Sequence, residues 1–288
     1  MSYKISVLTI VHQRARHLQN LIRGLNQSTR LPDELVIIHM NEDGSYALPE
    51  TGYALRRTSL QSIATAIPLA QARNRAVAEA KGNLLVFLDV DCIPEKKLLE
   101  KYERAAKQFT GLLMGDVHYL PAGAIEGNWT YEQLCTRAQA HPRRPVVTQL
   151  VQPEARYELF WTLNFALHRT TFEQLGGLDE QYQGYGAEDT DLAFTARRLG
   201  IPFALCSARA YHQHHPVYRP PVQHFSDIVV NARRFYAKWQ QWPMDGWLRA
   251  FAERGLISWD QETTKIEVLR PPTKQETQEA YYKAPAGF

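Results

Sequence analysis

Two uninterrupted apolar runs constrain the fold of this 288-residue chain more than any other feature of its sequence. LVII lies within a predicted strand at residues 34–40, and LLVFL forms a predicted strand at residues 84–88. Strands that are apolar on both faces occur where helices cover both sides of a parallel sheet, whereas half-exposed strands alternate polar and apolar residues. The sequence therefore predicts an α/β protein built around a parallel sheet.

Helical segments separate the predicted strands along the first part of the chain. A strand at residues 4–11 precedes leucine and isoleucine at helical spacing in residues 17–25, and residues 70–80 form a second predicted helix closed by Lys81-Gly82. In open parallel sheets, ligands bind beyond the carboxyl ends of the strands. The loops HQR, MNEDGS and DVDCIP, which follow the three strands, should therefore meet at one edge of the sheet.

Composition excludes several classes of function. The 33 basic and 30 acidic residues are spread along the chain and give a net charge of +3, so no basic stripe indicates nucleic-acid binding. The three cysteines are far apart and form neither a disulfide framework nor a paired metal motif, which indicates a cytoplasmic protein. No window approaches the roughly 18 apolar residues of a membrane span, so contact with the inner face of a membrane would be peripheral.

The loop after the third strand carries two carboxylates, Asp89 and Asp91, one residue apart. If this segment is extended, the two side chains point the same way and repel each other, and a divalent cation would relieve that repulsion. Hard oxygen ligands suit Mg²⁺ or Mn²⁺, which commonly take further ligands from substrate phosphates. The alternative is structural, with one aspartate capping the segment that begins at Pro94 and the other solvated.

A second acidic cluster lies in GYGAEDTDL, where Glu188, Asp189 and Asp191 follow a loop rich in glycine and tyrosine. These residues are candidates for acid–base chemistry. Carboxylates in the first turn of a helix are also what the helix dipole favours, so a purely structural cluster is the alternative.

Three histidines end the strand-like segment IPFALCSARAYHQHH: His212, His214 and His215. An imidazole at the end of a strand would complete a metal site begun by the two aspartates. The alternatives are exposed loop histidines, or a separate zinc site that uses Cys206.

The order of these motifs resembles that of glycosyltransferases with the GT-A fold, particularly the family 2 enzymes. TIVHQR, ARN, FLDVD, GGLDE and GYGAEDTDL occur in that order over about residues 4–215. The stretch from GGLDE to GAEDTDL is also similar to the C-terminal part of galactosyltransferases and polypeptide N-acetylgalactosaminyltransferases. The resemblance implies a Rossmann-like, mostly parallel sheet flanked by helices. It also implies metal-dependent transfer of a sugar, galactose or N-acetylgalactosamine, from a UDP-sugar to a hydroxyl of a glycan, a lipid-linked sugar or another acceptor.

The resemblance also implies a role for each matching residue. Asp91 would bind Mn²⁺ or Mg²⁺ directly, with Asp89 facing the donor ribose or metal-bound water and His212 as a further ligand. Asp189 would be the general base of an inverting reaction, with Glu188 beside it. Because HMNEDGS departs from the family's usual DDGS, either Met40 and Asn41 or Asp43 would meet the base of the nucleotide. The full set of expected donor contacts is Thr9, Val11, Arg14, Met40, Asn41, Asp43, Arg73, Asp89, Asp91 and Gly186. The expected acceptor contacts are Trp161, Tyr185 and Asn164, with ordinary core packing as the alternative for the two aromatic residues.

The pattern divides the chain into three regions. Residues 1–215 form the catalytic domain, with a donor-binding half at 1–120 and an acceptor-side half at 121–215. Residues 216–269 form a helical extension, and residues 270–288 form a polar tail. Three other functions remain open: a retaining transferase of the same fold, a sugar nucleotidyltransferase, and a non-catalytic protein that binds glycans or nucleotide sugars. AEDTD favours inversion, because it supplies an aspartate where an inverting base is expected.

Overall fold

The computed structural model describes residues 3–62 and 66–282. Within these residues, one sheet of ten strands forms the centre of the protein. Its strands are β1 (Ile5–Val11), β2 (Glu34–Met40), β3 (Ala54–Leu60), β4 (Leu84–Leu88), β5 (Cys92–Pro94), β6 (Leu112–Tyr119), β7 (Gln139–Ala140), β8 (Val151–Pro153), β9 (Asn164–His168) and β10 (Phe203–His212). Their order is β3-β2-β1-β4-β9-β6-β10-β5, with β7 paired to β6 and β8 paired to β10.

The first half of the sheet is parallel, as the apolar runs predict. β1 pairs in parallel with both β2 and β4, and β3 adds to β2. All residues of β2 and β4 are buried. β9 lies antiparallel between β4 and β6, a position that the sequence pattern did not indicate. The prediction of an α/β protein with a mostly parallel sheet is confirmed.

Helices cover both faces of this sheet. They are α1 (Ala15–Asn26), α2 (Leu69–Glu79), α3 (Leu98–Ala106), α4 (Tyr131–Arg137), α5 (Arg169–Leu175) and α6 (Glu188–Arg198). One buried cluster contains side chains of α1 and α3, and a second contains side chains of α2, α5 and α6. Because successive residues of a strand point to opposite faces, a strand between two such clusters must be apolar throughout. This requirement accounts for the LVII and LLVFL runs.

A third apolar cluster forms in the C-terminal region. Its elements and their neighbours are β11 (Val217–Tyr218), α7 (Phe225–Trp239), α8 (Asp245–Glu253), β12 (Ile257–Ser258), β13 (Glu267–Val268), α9 (Lys274–Ala280) and β14 (Tyr281–Tyr282). The predicted polar tail thus contains α9, which starts with a capping box between Thr273 and Glu276, and β14, which pairs with β11. Residues 283–288 of that tail lie outside the described residues. In the described part of the chain, none of the helices combines the length and the hydrophobicity of a membrane span.

The end of the second helix differs from the predicted one. α2 ends at Glu79, and Ala80 is already extended. Gly82 is needed instead where the chain passes β1, because a Cβ atom there would lie 2.5 Å from the carbonyl oxygen of Lys4. Here glycine permits a close approach of two chain segments rather than ending a helix.

Candidate active site

The DVD loop, residues 89–91, leaves the carboxyl end of β4 as a turn. The main-chain N–H of Cys92 donates a hydrogen bond to the carbonyl of Asp89 at 2.8 Å, so the segment is not extended as the sequence suggested. The two carboxylates consequently have different partners. Asp89 contacts Arg73, and Asp91 faces Arg14 and two histidines.

Asp91, His212 and His215 form a group that could hold a metal ion, with one ligand atom from each within 4.8 Å of the others. The Asp91 carboxylate lies 3.5 Å from Nε2 of His212 and 3.4 Å from Nε2 of His215. β10 positions His212 at its last residue, beside β5, which follows the DVD turn. The sequence left the choice of histidine open. The structure places His212 and His215 in this group, whereas His214 and Asp89 lie outside it.

The chemistry of this group fits a divalent cation. Burial opposes ionisation of Asp91, but His212, His215 and Arg14 hold the pKa of its carboxyl well below the usual range. Burial lowers the pKa of His212 to about 4, against the opposing charge of Asp91. An ionised carboxylate and a neutral imidazole are the forms that bind metals. The buried Nδ1 of His212 also has no hydrogen-bond partner among the described residues.

Arg73 on α2 joins the DVD loop to the second acidic cluster. One guanidinium nitrogen lies 3.1 Å from Asp89, and the other lies 3.2 Å from Glu188, which is 115 positions further along the chain. Arg73 is only 4% exposed, so this ion pair is largely shielded from water. Two motifs far apart in the sequence therefore meet at one guanidinium.

Glu188 and Asp189 occupy the first turn of α6, after Ala187 in a left-handed conformation with φ 73°. Burial, reinforced by Asp189 and opposed by Arg73, raises the pKa of Glu188 to about 7. Burial also raises the pKa of Asp189, although hydrogen bonds from Thr190 and the charge of Arg73 oppose it. Asp189 is only partly buried, whereas Glu188 is 6% exposed. A side chain with a raised pKa and access to solvent suits a general base.

Asp191 has a structural role. Its carboxylate accepts hydrogen bonds from Lys238 at 2.8 Å, from the Trp239 indole at 2.7 Å and from the Tyr182 hydroxyl at 3.1 Å. It is 2% exposed. For this member of the cluster the structural alternative holds, because the carboxylate ties α6 to α7.

The glycine-rich loop before α6 packs against the helical extension. The Asn231 side chain on α7 donates hydrogen bonds to the carbonyls of Gln183 at 2.9 Å and Gly186 at 3.0 Å. Tyr185 stacks on His224 with ring centroids 4.6 Å apart, and it remains 39% exposed. A Cβ on Gly186, at φ +102°, would lie 2.6 Å from the Met244 sulfur. The close approach that Gly186 permits is therefore to the extension.

Gly184→Ala tests how tightly this loop is packed. A Cβ at this position meets the side chain of Asp227, whose own Cβ is 2.9 Å away, and φ is +68°. Gly200 offers a matched control, with φ +69° and no atom of the described residues within 4 Å of an added Cβ. We expect Gly200→Ala to lower the free energy of unfolding by about 1 kcal/mol, the backbone cost alone. Gly184→Ala should cost about 1–3 kcal/mol more through overpacking, as measured by urea unfolding. Equal losses would contradict a packed loop.

The residues predicted to hold the nucleotide lie at the ends of β1 and β2. Thr9 and Met40 are buried, and the Val11 side chain belongs to the hydrophobic core, which leaves only its main chain for a ligand. Asn41, with φ 52°, accepts a hydrogen bond from the N–H of Ser62 at 2.8 Å. Asp43 is exposed and accepts a hydrogen bond from the N–H of Ser45. Arg14 lies 3.6 Å from Asp91, closer to the metal group than the sequence suggested.

The three predicted acceptor residues lie in different environments. Trp161 is partly buried and Tyr185 is exposed. Asn164 is fully buried in β9, where it accepts a hydrogen bond from the Tyr102 hydroxyl and donates to the carbonyls of Asp116 and Ala208. This position argues against the acceptor contact predicted for Asn164, because its side-chain groups already hold the sheet together.

Arg144 is a further candidate site residue, which the sequence pattern did not indicate. Its guanidinium carbon lies 3.1 Å from the centroid of the Trp161 ring, and its charge opposes the effect of burial on the pKa of Asp189. One of its terminal nitrogens is buried without a hydrogen-bond partner among the described residues. The sequence signal that could have indicated this residue is the pair of adjacent arginines between two prolines in HPRRP.

Solved structures of known glycosyltransferases share this fold. S. aureus TarS, residues 1–349 in complex with UDP-GlcNAc, has a TM-score of 0.52 and 13% identity, covering 86% of this chain and 73% of that one. The mannosyltransferase PcManGT from Pyrobaculum calidifontis, in complex with GDP-Man and Mn²⁺, has a TM-score of 0.51 and 15% identity, covering 83% and 64%. At such identities the similarity shows the fold alone, which is the GT-A fold.

Sequence comparison gives the family. Validoxylamine A glucosyltransferase of Streptomyces hygroscopicus subsp. jinggangensis (strain 5008) is 34% identical over 79 residues, which is 27% of this chain and 18% of that protein. The chain thus spans less than a fifth of this relative's length. A family model described as "Glycosyltransferase like family 2" matches residues 53–214, more than half of the chain. The protein belongs to this family.

Proposed function

We propose that this protein transfers a sugar from a nucleoside diphosphate sugar to an acceptor hydroxyl with inversion at the anomeric carbon. The observation that carries the proposal is the Arg73 bridge, which brings the DVD loop beside Glu188, the neighbour of Asp189. Donor and acceptor chemistry must take place at one site, and this bridge brings the segments proposed for each next to one another.

In the proposed reaction Asp189 accepts the proton of the acceptor hydroxyl. The hydroxyl oxygen attacks the anomeric carbon at the same time, and the nucleoside diphosphate leaves. Glu188 supports the base or binds acceptor hydroxyls. A divalent ion held by Asp91, His212 and His215 would neutralise the donor diphosphate and stabilise the leaving group. Because two of the three ligands are imidazoles, Mn²⁺ suits the group better than Mg²⁺, which prefers oxygen ligands.

The donor is proposed to be a UDP-sugar. The predicted contacts of Thr9, Val11 and either Met40 and Asn41 or Asp43 would hold the nucleoside, and Asp89 would face its ribose. Galactose and N-acetylgalactosamine are the first sugars to test, as the GYGAED stretch suggests. One similar protein is named a glucosyltransferase, and two similar structures are complexes with UDP-GlcNAc and GDP-Man. UDP-glucose, UDP-GlcNAc and GDP-mannose therefore belong in the same screen.

A donor screen tests the proposal. Purified protein with Mn²⁺ is incubated with UDP-galactose, UDP-N-acetylgalactosamine, UDP-glucose, UDP-GlcNAc or GDP-mannose, and release of the nucleoside diphosphate is measured with and without glycan acceptors. We expect turnover with a UDP-sugar, and proton NMR of the product should show an inverted anomeric centre. Retained configuration would contradict inversion. Pyrophosphate released from UTP and a sugar phosphate would instead indicate a nucleotidyltransferase.

A further inference from the structure

A fully buried amide lies between the two histidines of the metal group. Gln213 is 0% exposed, and its main-chain N–H donates to the carbonyl of Asp91 at 2.7 Å. Its side-chain amide donates to the carbonyls of His17 at 3.0 Å and Val90 at 3.4 Å. A single residue, Gln213, therefore holds the DVD turn through hydrogen bonds to two consecutive carbonyls, those of residues 90 and 91.

The amide oxygen of Gln213 also has a hydrogen-bond partner. Its Oε1 accepts a hydrogen bond from the Asn20 amide on α1 at 2.9 Å, and the Asn20 oxygen in turn accepts one from the Trp129 indole at 3.1 Å. Asn20 is 3% exposed. A buried polar network in which every member has a partner allows a single arrangement. It locks together α1, the DVD turn and the end of β10.

We propose that Gln213 is a positioning residue that orients Asp91 for metal binding, an inference that rests on the metal-dependent function proposed above. His212 precedes Gln213 directly, and His215 follows two residues later, so the same residue fixes both chain segments that carry the proposed ligands. Rotation of the peptide between residues 90 and 91 would swing the Asp91 carboxylate away from both imidazoles. Groups that orient metal ligands typically change metal affinity 10–100-fold when removed.

Gln213→Leu is the main test, because leucine fills a similar volume and its side chain donates no hydrogen bond to the carbonyls of His17 and Val90, while the main-chain bond to Asp91 remains. We expect the dissociation constant for Mn²⁺, measured by calorimetry and by electron paramagnetic resonance without donor or acceptor, to rise at least about 10-fold. Gln213→Asn, which keeps the amide but has a shorter reach, should weaken Mn²⁺ binding less. High Mn²⁺ should restore much of the lost turnover.

Asn231→Leu is a matched control. Asn231 is also a buried amide that donates to main-chain carbonyls, but those carbonyls belong to the loop before α6 rather than to the DVD turn. We expect its Mn²⁺ affinity to stay within about twofold of the wild-type value. Cooperative thermal unfolding confirms that each variant is folded.

The outcomes separate this inference from the metal site itself. Wild-type protein that binds no divalent ion would overturn both. Wild-type binding with an unchanged affinity in folded Gln213→Leu, or an equal loss in Asn231→Leu, would overturn the role of Gln213 alone. If Gln213→Leu does not fold, the test rests on Gln213→Asn. A Mn²⁺ affinity of this variant equal to that of the wild type would then contradict the proposal.

Discussion

Asp189→Asn should lower kcat at least about 100-fold while binding of UDP with Mn²⁺ stays within about threefold of the wild-type value. Asparagine keeps the shape of the side chain but cannot accept the proton of an acceptor hydroxyl, and general base catalysis contributes on this scale. Asp189 lies outside the group formed by Asp91, His212 and His215, so nucleotide binding has no reason to change. The rate comes from nucleoside diphosphate release and the affinity from calorimetry.

Asp191→Asn provides the matched control, two residues further along the same helix. Its carboxylate is occupied by Lys238 and Trp239, so it cannot serve as a base. Replacing Asp191 should lower the melting temperature, because Lys238 loses a carboxylate with which it forms an ion pair. The folded variant should nevertheless retain most of its turnover. If both variants lose turnover equally, the integrity of α6 rather than a base explains the loss.

Replacing Asp91 by Asn or His212 by Ala should abolish measurable Mn²⁺ binding and lower turnover at least about 100-fold. Each change removes one of three ligands, and Asp91 is the only anionic one in the group. Removal of metal from the wild-type protein by a chelator should give the same loss, which added Mn²⁺ should reverse. Calorimetric titration measures the binding in each case.

His214→Ala is the control for that experiment, since His214 lies in the same segment but outside the ligand group. Its Mn²⁺ dissociation constant should stay within about threefold of the wild-type value. A large loss with His214→Ala and none with His215→Ala would show that the ligand set had been assigned to the wrong histidine.

The sequence predicted the elements whose pattern is local. LLVFL is apolar at every position and LVII forms the apolar centre of ELVIIHM, and the strands they predict have the observed bounds. The acidic residues near strand and helix ends were also found, because carboxylates next to apolar runs stand out. These signals arise within about ten residues, the range over which hydrophobic periodicity acts.

Contacts between distant segments could not be predicted in the same way. Nothing near Arg73 indicates that it pairs with Glu188, and nothing near Gly184 indicates that Asp227 will lie against it. The turn that separates the partners of Asp89 and Asp91 depends on Gln213 and Leu163, which come much later in the chain. Such arrangements follow from the packing of the whole sheet and have no periodic signature.

The packing of α7 has a consequence for the boundary of the predicted catalytic domain. Asn231 holds the loop that leads to Glu188, and Lys238 and Trp239 hold the helix that carries Asp189. The extension therefore holds the segment that carries Glu188 and Asp189, although it supplies none of the proposed reacting groups. The support of the proposed base therefore reaches past residue 215, the end of the predicted catalytic domain, into a helix of the extension.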